Sequence, residues 1–341
     1  MGNWITTKGP ESDIVLSSRI RLARNIKGYH FPHIMSVDEA KKVIKECSNS
    51  IMEKSPVLAK DFHVIEMDKL SPIERSAMVE EHLISTGLAE NYPKSAVLLN
   101  TDSTVSIMIN EEDHIRLQVI YPGLQLKEAY EYASKLDDVI EESVDYAFDQ
   151  RMGYLTACPT NIGTGIRASV MLHLPALTVT GNINGVLNAV AQVGLTIRGI
   201  YGEGSNVQGN IYQISNQVTL GLSEEEVISN LMAVTKQIVD NEKAAIEKLK
   251  ESNIMQLEDT VYRSLGILKN ARLLSSNECL NLISNIRLGV GMGIITDIDS
   301  TLLNEIMISI QPATLVKREG KELDSASRDI KRAEYVRERL K

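Results

Sequence analysis

The sequence predicts an α+β fold, in which a largely antiparallel sheet is flanked by helices and followed by an all-helical C-terminal region. Three observations support this prediction. Short, β-branched runs follow one another with only turns between them, as neighbouring antiparallel strands do. Amphipathic segments of helical period are interspersed among these runs. After Leu222 the strand pattern stops, and the remaining sequence has a helical character.

The first elements alternate strand and helix. Residues 15–22 predict a strand that carries arginines, and residues 62–67 predict a second, short strand. Residues 36–39 have the spacing of a capping box and predict a helix that runs to about residue 53. Residues 71–74 form another capping box with proline at the first helical position, so a helix should begin there and end near Gly87.

The middle of the chain predicts most of the sheet. Residues 96–99, 104–109 and 114–121 are apolar or alternating runs separated by turns, and they predict adjacent strands. Residues 126–148 predict one long amphipathic helix. The remaining elements are strands at 153–157, 195–200 and 209–215, with a helix at 184–193.

The C-terminal part predicts a second domain. Residues 223–226 begin a helix that should reach about residue 250, residues 275–278 cap another, and a charged last helix begins at Ser325. A chain of 341 residues exceeds the usual size of one domain. We therefore place one domain at residues 1–252 and a helical domain at residues 253–341.

Composition narrows the class of protein. A net charge of -9 argues against a general nucleic-acid or membrane-surface binder. Three sparse cysteines, Cys47, Cys158 and Cys279, are a poor disulfide framework. Neither a secretory signal nor an apolar run of about 20 residues is evident. We therefore expect a soluble cytoplasmic protein.

Arginines on the first strand are one candidate for chemistry. Arg19 and Arg21 are two positions apart, so on a strand their side chains share a face. Guanidinium groups bind phosphate oxygens bidentately and stay charged when partly dehydrated. An exposed, solvated strand face explains the same pattern, and for this motif alone it is the more common case.

A turn of acidic residues is the second candidate. Residues 110–116 place Glu111, Glu112 and Asp113 between two apolar strands and end with Arg116. Such a turn could grip a cationic substrate with a carboxylate while Arg116 meets an anionic one. Acidic turns at a sheet edge are more often simply solvated.

Two glycine-containing segments complete the motifs. Residues 153–167 could form a backbone nest for an anion or a simple turn, and Cys158 within them could be a buried thiol or a thiolate facing a substrate. Residues 198–205 carry Arg198 and then Glu203 on a loop, which in isolation indicates a surface ion pair.

Taken in order, these segments resemble the phosphagen kinases, the creatine and arginine kinases. The resemblance covers residues 17–226 and rests on the acidic turn, on the Cys-Pro-Thr-Asn-Ile-Gly-Thr-Gly-Ile-Arg block at 158–167 and on Ser-Asn-Gln at 215–217. It implies a catalytic domain at 1–252 that transfers phosphate from ATP, accompanied by Mg²⁺, to a guanidinium group. No protein residues are expected to form a separate metal site.

The resemblance also implies roles for individual residues. Glu112 and Glu203 would hold and deprotonate the guanidinium group, and Cys158 would contact it. Glu203 matches a carboxylate that arginine kinases have and creatine kinases lack, which favours arginine as the acceptor. The positions expected around the nucleotide are Ser18, Arg19, Arg21, His82, Arg116, Arg167, Ala168, Ser169, Val170, Met171, Arg198, Gly199 and Gly202.

The two ends of the chain depart from the creatine and arginine kinases. Those enzymes begin with a helical domain of about a hundred residues, a typical domain size, whose loop closes over a small substrate. Here the arginine-bearing strand begins near Ser17, so we expect an open site that admits arginine on a protein. The C-terminal helix carries Arg-Asp-x-x-Arg-Ala, which resembles the phosphoarginine pocket used for allosteric control in bacterial protein arginine kinases. The pocket residues would be Arg328, Asp329, Arg332 and Ala333.

Three functions fit these expectations. The first is a protein-arginine kinase, which in that family marks proteins for a Clp protease and inactivates the heat-shock repressor CtsR. Such an enzyme would work with an activator, McsA, form a homodimer, and contact neither nucleic acid nor membrane directly. The alternatives are a metabolic kinase for free arginine and an adaptor that reads phosphoarginine through Arg328 and Asp329. An ordinary charged helix with paired i,i+4 residues also explains the C-terminal motif.

Overall fold

The structure, a computed structural model, describes residues 2–53, 55–199 and 207–341. The strands are β1 (Val15–Arg24), β2 (Phe62–Glu66), β3 (Ala96–Asn100), β4 (Val105–Ile109), β5 (Ile115–Pro122), β6 (Phe148–Asp149), β7 (Gly153–Tyr154), β8 (Ile166–His173), β9 (Leu195–Arg198) and β10 (Ile211–Asn216). The helices are α1 (Asn3–Thr6), α2 (Val37–Met52), α3 (Leu58–Asp61), α4 (Pro72–Glu80), α5 (Thr86–Glu90), α6 (Leu126–Glu141), α7 (Pro175–Val179), α8 (Ile183–Gln192), α9 (Glu224–Asn270), α10 (Ser276–Gly291), α11 (Ser300–Ser309), α12 (Pro312–Glu319) and α13 (Ser325–Arg339).

Eight of the strands form one sheet in the order β2-β3-β4-β5-β1-β8-β10-β9. Each neighbouring pair is antiparallel, which confirms the predicted fold class. The central strand β8 was not predicted, because the glycine-rich segment before it was interpreted as a loop. Its alternation of apolar Ile166, Ala168 and Val170 with the intervening residues is the signal that would have found it.

The sheet has two different faces. The first face carries apolar side chains such as Ile20, Leu117 and Val170, which belong to the main hydrophobic core. Helices α2, α6 and the first part of α9 contribute to that core and cover this face. Because one face supplies the core, the opposite, second face is available for polar side chains.

Within residues 2–53, 55–199 and 207–341, the second face is covered at its two ends. At one end α4 and α5 pack Met78 and Leu88 against β3 and β4. At the other end Trp4 of α1 and the C-terminal helices pack on Met171 and Ile211. Between these two coverings, the part of the chain that the structure describes leaves a gap over β5, β1 and β8.

Two predicted helices end earlier than expected. Helix α4 ends at Glu80 rather than near Gly87, because His82 adopts a left-handed conformation with φ 59°. Helix α6 ends at Glu141, and the predicted continuation instead forms a turn and the short strand β6. The predicted strand 153–157 is limited to the two residues of β7, while the cap at Ser275 and the last helix α13 confirm the prediction.

Helix α9 joins the sheet to the C-terminal helices. Its first part supplies Leu231 to the main core, and its later part supplies Val261 to the core of the C-terminal helices. Asn253 interrupts it with non-helical angles of φ -149° and ψ 36°, next to the predicted domain boundary at 252. None of the helices among the described residues, α9 included, is both long and apolar enough to cross a bilayer.

A buried ion pair ties β1 to α6. Asp137 accepts hydrogen bonds from Arg24 Nε at 2.9 Å and from the Tyr146 hydroxyl at 2.8 Å. The Arg24 guanidinium also lies 3.5 Å from the ring centre of Tyr154 and donates to the carbonyl of Thr164 at 3.0 Å. This network holds the loop after β7 against the first face of the sheet.

We predict that Asp137→Ala destabilises the fold strongly. Arg24 and Asp137 are 1% and 6% exposed, so removing the carboxylate takes the closest anion from a buried cation and leaves only Glu224, at 3.5 Å. The expected loss is about 3–5 kcal/mol of unfolding free energy, measured by urea denaturation. Asp259→Ala is the matched control, because its partner Arg263 is exposed and the pair lies on the surface of α9. Equal effects of the two substitutions would contradict this prediction.

Candidate active site

The gap on the second face of the sheet holds a cavity of about 450 Å³, which we call the active-site cavity. One wall is strongly cationic and another is acidic. The cationic side chains are Arg19, Arg21, Arg116, Arg167 and Arg198. The acidic side chains are Glu111, Glu112 and Asp113, from the turn between β4 and β5. The structure therefore brings together motifs that are up to 179 positions apart, from Arg19 to Arg198 (198 − 19).

Strand register explains why the arginines meet. Arg19 and Arg21 alternate along β1 and share its second face. Arg21 lies directly opposite Arg167 of β8, and Arg116 of β5 lies opposite Ala23, two residues further along β1. Arg198 enters from the sheet edge, where β9 pairs with β10. Four strands thus point cations into one space.

The clustered cations raise the energy of the protein when no anion is bound. The pKa of Arg19 is lowered to about 9 by burial and by the charges of Arg116 and Arg167. The pKa of Arg21 is lowered well below its ordinary value, by burial and then by neighbouring arginines. Because an arginine side chain keeps its proton, these pKa shifts signify charged groups destabilised by burial and by mutual repulsion, and not neutral ones.

Polar neighbours satisfy only part of this cluster. Arg19 donates to Gln213 Oε1 at 2.7 Å and to Ser169 Oγ at 3.3 Å. The Nε atom of Arg21 is buried and has no hydrogen-bond partner among the described residues. A cavity lined in this way fits a polyanion with several oxygen acceptors, such as a nucleotide triphosphate.

Glu111 holds one of the arginines in place. Its Oε1 accepts from Arg116 Nη1 at 2.5 Å and from the Ser85 hydroxyl at 2.6 Å. Burial raises the pKa of Glu111, but the charge of Arg116 and these hydrogen bonds outweigh it, so the pKa is lowered overall. Glu111 is therefore an anion committed to orienting Arg116.

Asp113 serves the neighbouring loop instead. It accepts from the backbone N–H of Ala157 and from Asn25 Nδ2, both at 2.6 Å, and burial raises its pKa. These bonds connect the acidic turn to the segment that carries Cys158. Glu112, between these two acids, is exposed at the cavity wall. Of the three acids, it is the one whose side chain is exposed.

The glycine-rich segment places Cys158 at the wall of the cavity, one residue after Ala157, which bonds to the acidic turn. The thiol is partly exposed, and its Sγ lies 3.0 Å from Thr160 Oγ1. Gly163 has φ 111°, and a Cβ atom there would lie 2.3 Å from the carbonyl oxygen of Thr219. Only glycine allows this close approach, so the backbone geometry supports a packed loop.

The other predicted nucleotide residues lie in different places. His82 lines the cavity, and Ser169 and Met171 share its sheet face. Ser18, Ala168 and Val170 belong to the opposite face, where the Ser18 hydroxyl donates to the carbonyl of Gly123 at 2.8 Å. Gly199 is buried beyond the end of β9. Gly202 and Glu203 lie outside the described residues.

Sequence reasoning assigned no separate roles to Glu111, Asp113 or Gln213. Their roles depend on Ser85, Asn25 and Arg19, which are 26, 88 and 194 positions away. No spacing within one motif could reveal these contacts. The presence of both charge signs in residues 110–116 was the available signal.

The C-terminal motif is partly engaged in structure. Arg332 is 1% exposed and donates to the carbonyls of Ile310 at 2.9 Å and Leu274 at 2.7 Å. It also donates to Asp329 Oδ1 at 2.5 Å. Arg328 is partly exposed and donates to the carbonyl of Leu323 at 2.8 Å. Of the two arginines predicted to bind phosphoarginine, Arg328 is therefore the accessible one, and Ala333 is fully buried.

Two family models match the chain. The model described as "ATP:guanido phosphotransferase, C-terminal catalytic domain" matches residues 42–245. The chain belongs to the ATP:guanido phosphotransferase family. The model described as "Protein-arginine kinase McsB C-terminal domain" matches residues 254–341. Membership makes this protein a phosphotransferase, and its cavity pairs a cationic wall with an acidic one.

Similar proteins support the same assignment. The Protein-arginine kinase of Halothermothrix orenii is 53% identical over 340 residues, which cover 100% of this chain and 97% of that protein. The Protein-arginine kinase of Geobacillus stearothermophilus is 50% identical, covering 99% and 93%.

Solved structures agree in fold. A lombricine kinase is 28% identical with a TM-score of 0.60, and the match covers 70% of this chain and 68% of that one. A duplicated taurocyamine kinase of Schistosoma mansoni, with bound transition state analog components, has a TM-score of 0.62. At 21% identity over 79% of this chain and 41% of that one, it supports the fold alone.

In this ATP:guanido phosphotransferase, His82 is a buried neutral base at the edge of the cavity. Its ring makes an edge contact with Trp4, with centroids 5.7 Å apart. Burial, and then the charge of Arg19, lower its pKa to about 3. The unfolded chain, in which the pKa is near 6.5, binds the proton first, so stability is lost as pH falls from about 6.5 towards 3.

We predict that His82→Asn removes part of this acid sensitivity. Asparagine tolerates the left-handed backbone and does not titrate. The wild-type protein should lose about 2 kcal/mol more than the variant between pH 7 and pH 5, measured by denaturant unfolding. His63→Asn is the control, because His63 is exposed on β2. A parallel pH profile for wild type and His82→Asn would refute the assignment.

We further predict that Arg21→Met stabilises the phosphotransferase when no nucleotide is present. Methionine removes a repelled cation from the cavity, so the unfolding free energy should rise by about 1–2 kcal/mol. The rise in Tm on adding ATP should shrink in the same variant, because a phosphate partner is lost. Arg24→Met is the control and should destabilise, because Arg24 is paired with Asp137. A destabilised Arg21→Met protein would contradict the repulsion argument.

Proposed function

We propose that this chain is a protein-arginine kinase, which transfers the γ-phosphoryl group of ATP to arginine side chains of polypeptides. The observation that carries the proposal is the active-site cavity, which faces five arginines towards an acidic turn. A phosphate-binding wall and a guanidinium-binding wall in one cavity suit transfer between these two groups. The names of the similar proteins and the C-terminal family model support arginine on proteins as the acceptor.

In this proposal the arginines bind and align the nucleotide phosphates. Phosphoryl transfer requires alignment and charge neutralisation more than covalent help. The Arg116 guanidinium is held by Glu111, and Arg19 is held by Gln213 and Ser169, so these donors need little reorganisation when charge develops. A bound Mg²⁺ would neutralise further phosphate charge. Among the described residues no group of three acidic, histidine or cysteine side chains could hold a metal. On family resemblance, the ion would accompany the nucleotide.

Glu112 acts on the acceptor. An arginine guanidinium is protonated and a poor nucleophile until it is oriented and loses a proton. Its nitrogen attacks the γ-phosphorus, a P–N bond forms, the P–O bond to ADP breaks, and the carboxylate of Glu112 takes the proton. Glu203, matched through family resemblance, would be the second carboxylate, and Cys158, on the loop after β7, would contact the guanidinium.

The biological setting is a further part of the proposal. On family resemblance, the enzyme would modify a CtsR-like repressor, mark proteins for a Clp protease, respond to an McsA-like activator and form a homodimer. Arg328 and Asp329 would bind phosphoarginine at the C-terminal helix. Activity on free arginine, or a purely adaptor role, would be the alternatives.

We predict that Glu112→Gln abolishes arginine phosphorylation while leaving ATP binding intact. The substitution keeps the size of the side chain but removes the proton acceptor, so kcat should fall by about 10²–10⁴. Wild type and variant are incubated with Mg-ATP and an arginine-rich protein, and ³¹P NMR detects the acid-labile phosphoramidate. Glu141→Gln, an exposed substitution on α6, is the control and should be fully active.

The same assay separates the alternatives. Turnover of free arginine without protein labelling would favour the metabolic kinase. Label that survives acid would exclude a phosphoramidate and overturn the proposal. A fully active Glu112→Gln protein would assign proton transfer to another group.

A further inference from the structure

A second depression opens beside the active-site cavity. It has a volume of about 830 Å³, and its exposed lining is mostly apolar. We call it the flanking groove and define it by Pro72, Val79, Ala89, Tyr92 and Pro312. Val79 and Thr86 line both the flanking groove and the active-site cavity, so the two depressions are adjacent.

Helix α5 connects the two spaces. Its first residues, Thr86 and Gly87, line the active-site cavity, whereas Ala89 and Glu90 line the flanking groove. Four residues of helix span about 6 Å, the length of roughly two residues of extended chain. Consider a substrate polypeptide whose target arginine enters the active-site cavity beside α5. The flanking groove would then begin about two residues further along that polypeptide.

The walls of the groove come from both ends of the chain. Glu80 at the end of α4 accepts from the backbone N–H groups of Ala313 at 2.9 Å and Thr314 at 2.6 Å, at the N-terminus of α12. A carboxylate at a helix N-terminus is a favourable, directional contact. The contact of Glu80 holds Pro312, at the start of α12, opposite α4 and α5. The groove is therefore formed before a substrate binds.

Tyr92 provides an ordered aromatic surface in the groove. Its side chain is 41% exposed, and the Arg75 guanidinium lies 4.0 Å from its ring centre. Arg75 in turn donates to the carbonyls of Met67 at 3.2 Å and Leu70 at 2.5 Å. A stacked, partly exposed tyrosine loses little conformational entropy on binding, which is typical of contacts that contribute strongly at interfaces.

We propose that the flanking groove binds apolar residues next to the target arginine of a polypeptide substrate. This inference rests on the proposed protein-arginine kinase activity. It identifies the surface by which the enzyme would prefer a polypeptide acceptor to free arginine. A free amino acid reaches no further than the active-site cavity, whereas an extended polypeptide continues past α5. The occupant is a polypeptide because the apolar lining suits side chains, and the cationic wall for phosphates lies in the other cavity.

The experiment compares three acceptors of the full-length enzyme. One peptide carries a single arginine with leucine or phenylalanine about two to four residues away on both sides, a reach set by extended-chain geometry. The second has serine at those positions, and the third acceptor is N-acetylarginine amide. The wild-type kcat/KM should favour the apolar peptide over the serine peptide by on the order of tenfold.

Variants on both walls locate the effect. Tyr92→Ala and Pro312→Ser should each bring the ratio of kcat/KM values close to one, with the serine peptide and N-acetylarginine amide unchanged. Serine is small and neutral, so Pro312→Ser leaves the contacts of Glu80 with the N-terminus of α12 in place. Tyr262→Ala is the matched control, since Tyr262 is an exposed tyrosine of α9 outside the groove, and it should retain the full ratio.

The outcomes separate this inference from the function on which it rests. Phosphorylation of all acceptors by the wild type without preference for the apolar peptide would overturn the groove and keep the kinase. Variants that slow every acceptor equally would indicate a structural role and also overturn it. A wild-type enzyme that labels no arginine would defeat the proposed function itself.

Discussion

Like charges on one sheet face are the constraint around which the rest of this structure is arranged. Five guanidinium groups converge on one cavity, and burial and mutual repulsion lower the pKa values of Arg19 and Arg21. Such an arrangement persists only if the scaffold is stable enough to hold it. Gln213, Ser169 and Glu111 satisfy part of the cluster, and an anionic substrate supplies the remainder. The positive charge is therefore in position before the reaction begins.

The sheet tolerates this face because its opposite face supplies the main hydrophobic core. The antiparallel ladders keep each arginine in register, and the two coverings of the second face leave the cavity open between them. The C-terminal helices form one of these coverings and meet α4 through Glu80. The C-terminal helices therefore pack next to the active-site cavity and form part of the same structural unit as the sheet.

The sequence predicted elements well where local period and burial agreed. Strands β1 to β5 were found within a few residues, because their apolar and β-branched runs are bounded by turns. Prediction failed where a tertiary contact opposed the local pattern. The helical pattern after Glu80 is broken by a left-handed His82 that packs on Trp4, 78 positions away (82 − 4). Strand β8 was missed because the glycines before it concealed its alternation.

For the site, the sequence alone determined which charges exist and which neighbours must share a face. Residues two apart on a strand point the same way, so Arg19 and Arg21 were paired from the start. Only the tertiary structure decided what each acid of the turn does: Glu111 orients an arginine, Asp113 braces a loop and Glu112 lines the cavity. It also buried Arg332 among backbone carbonyls, where the family resemblance had implied a ligand of phosphoarginine. The physical reason is that hydrogen-bond partners and burial depend on residues distant in the chain, which no local period contains.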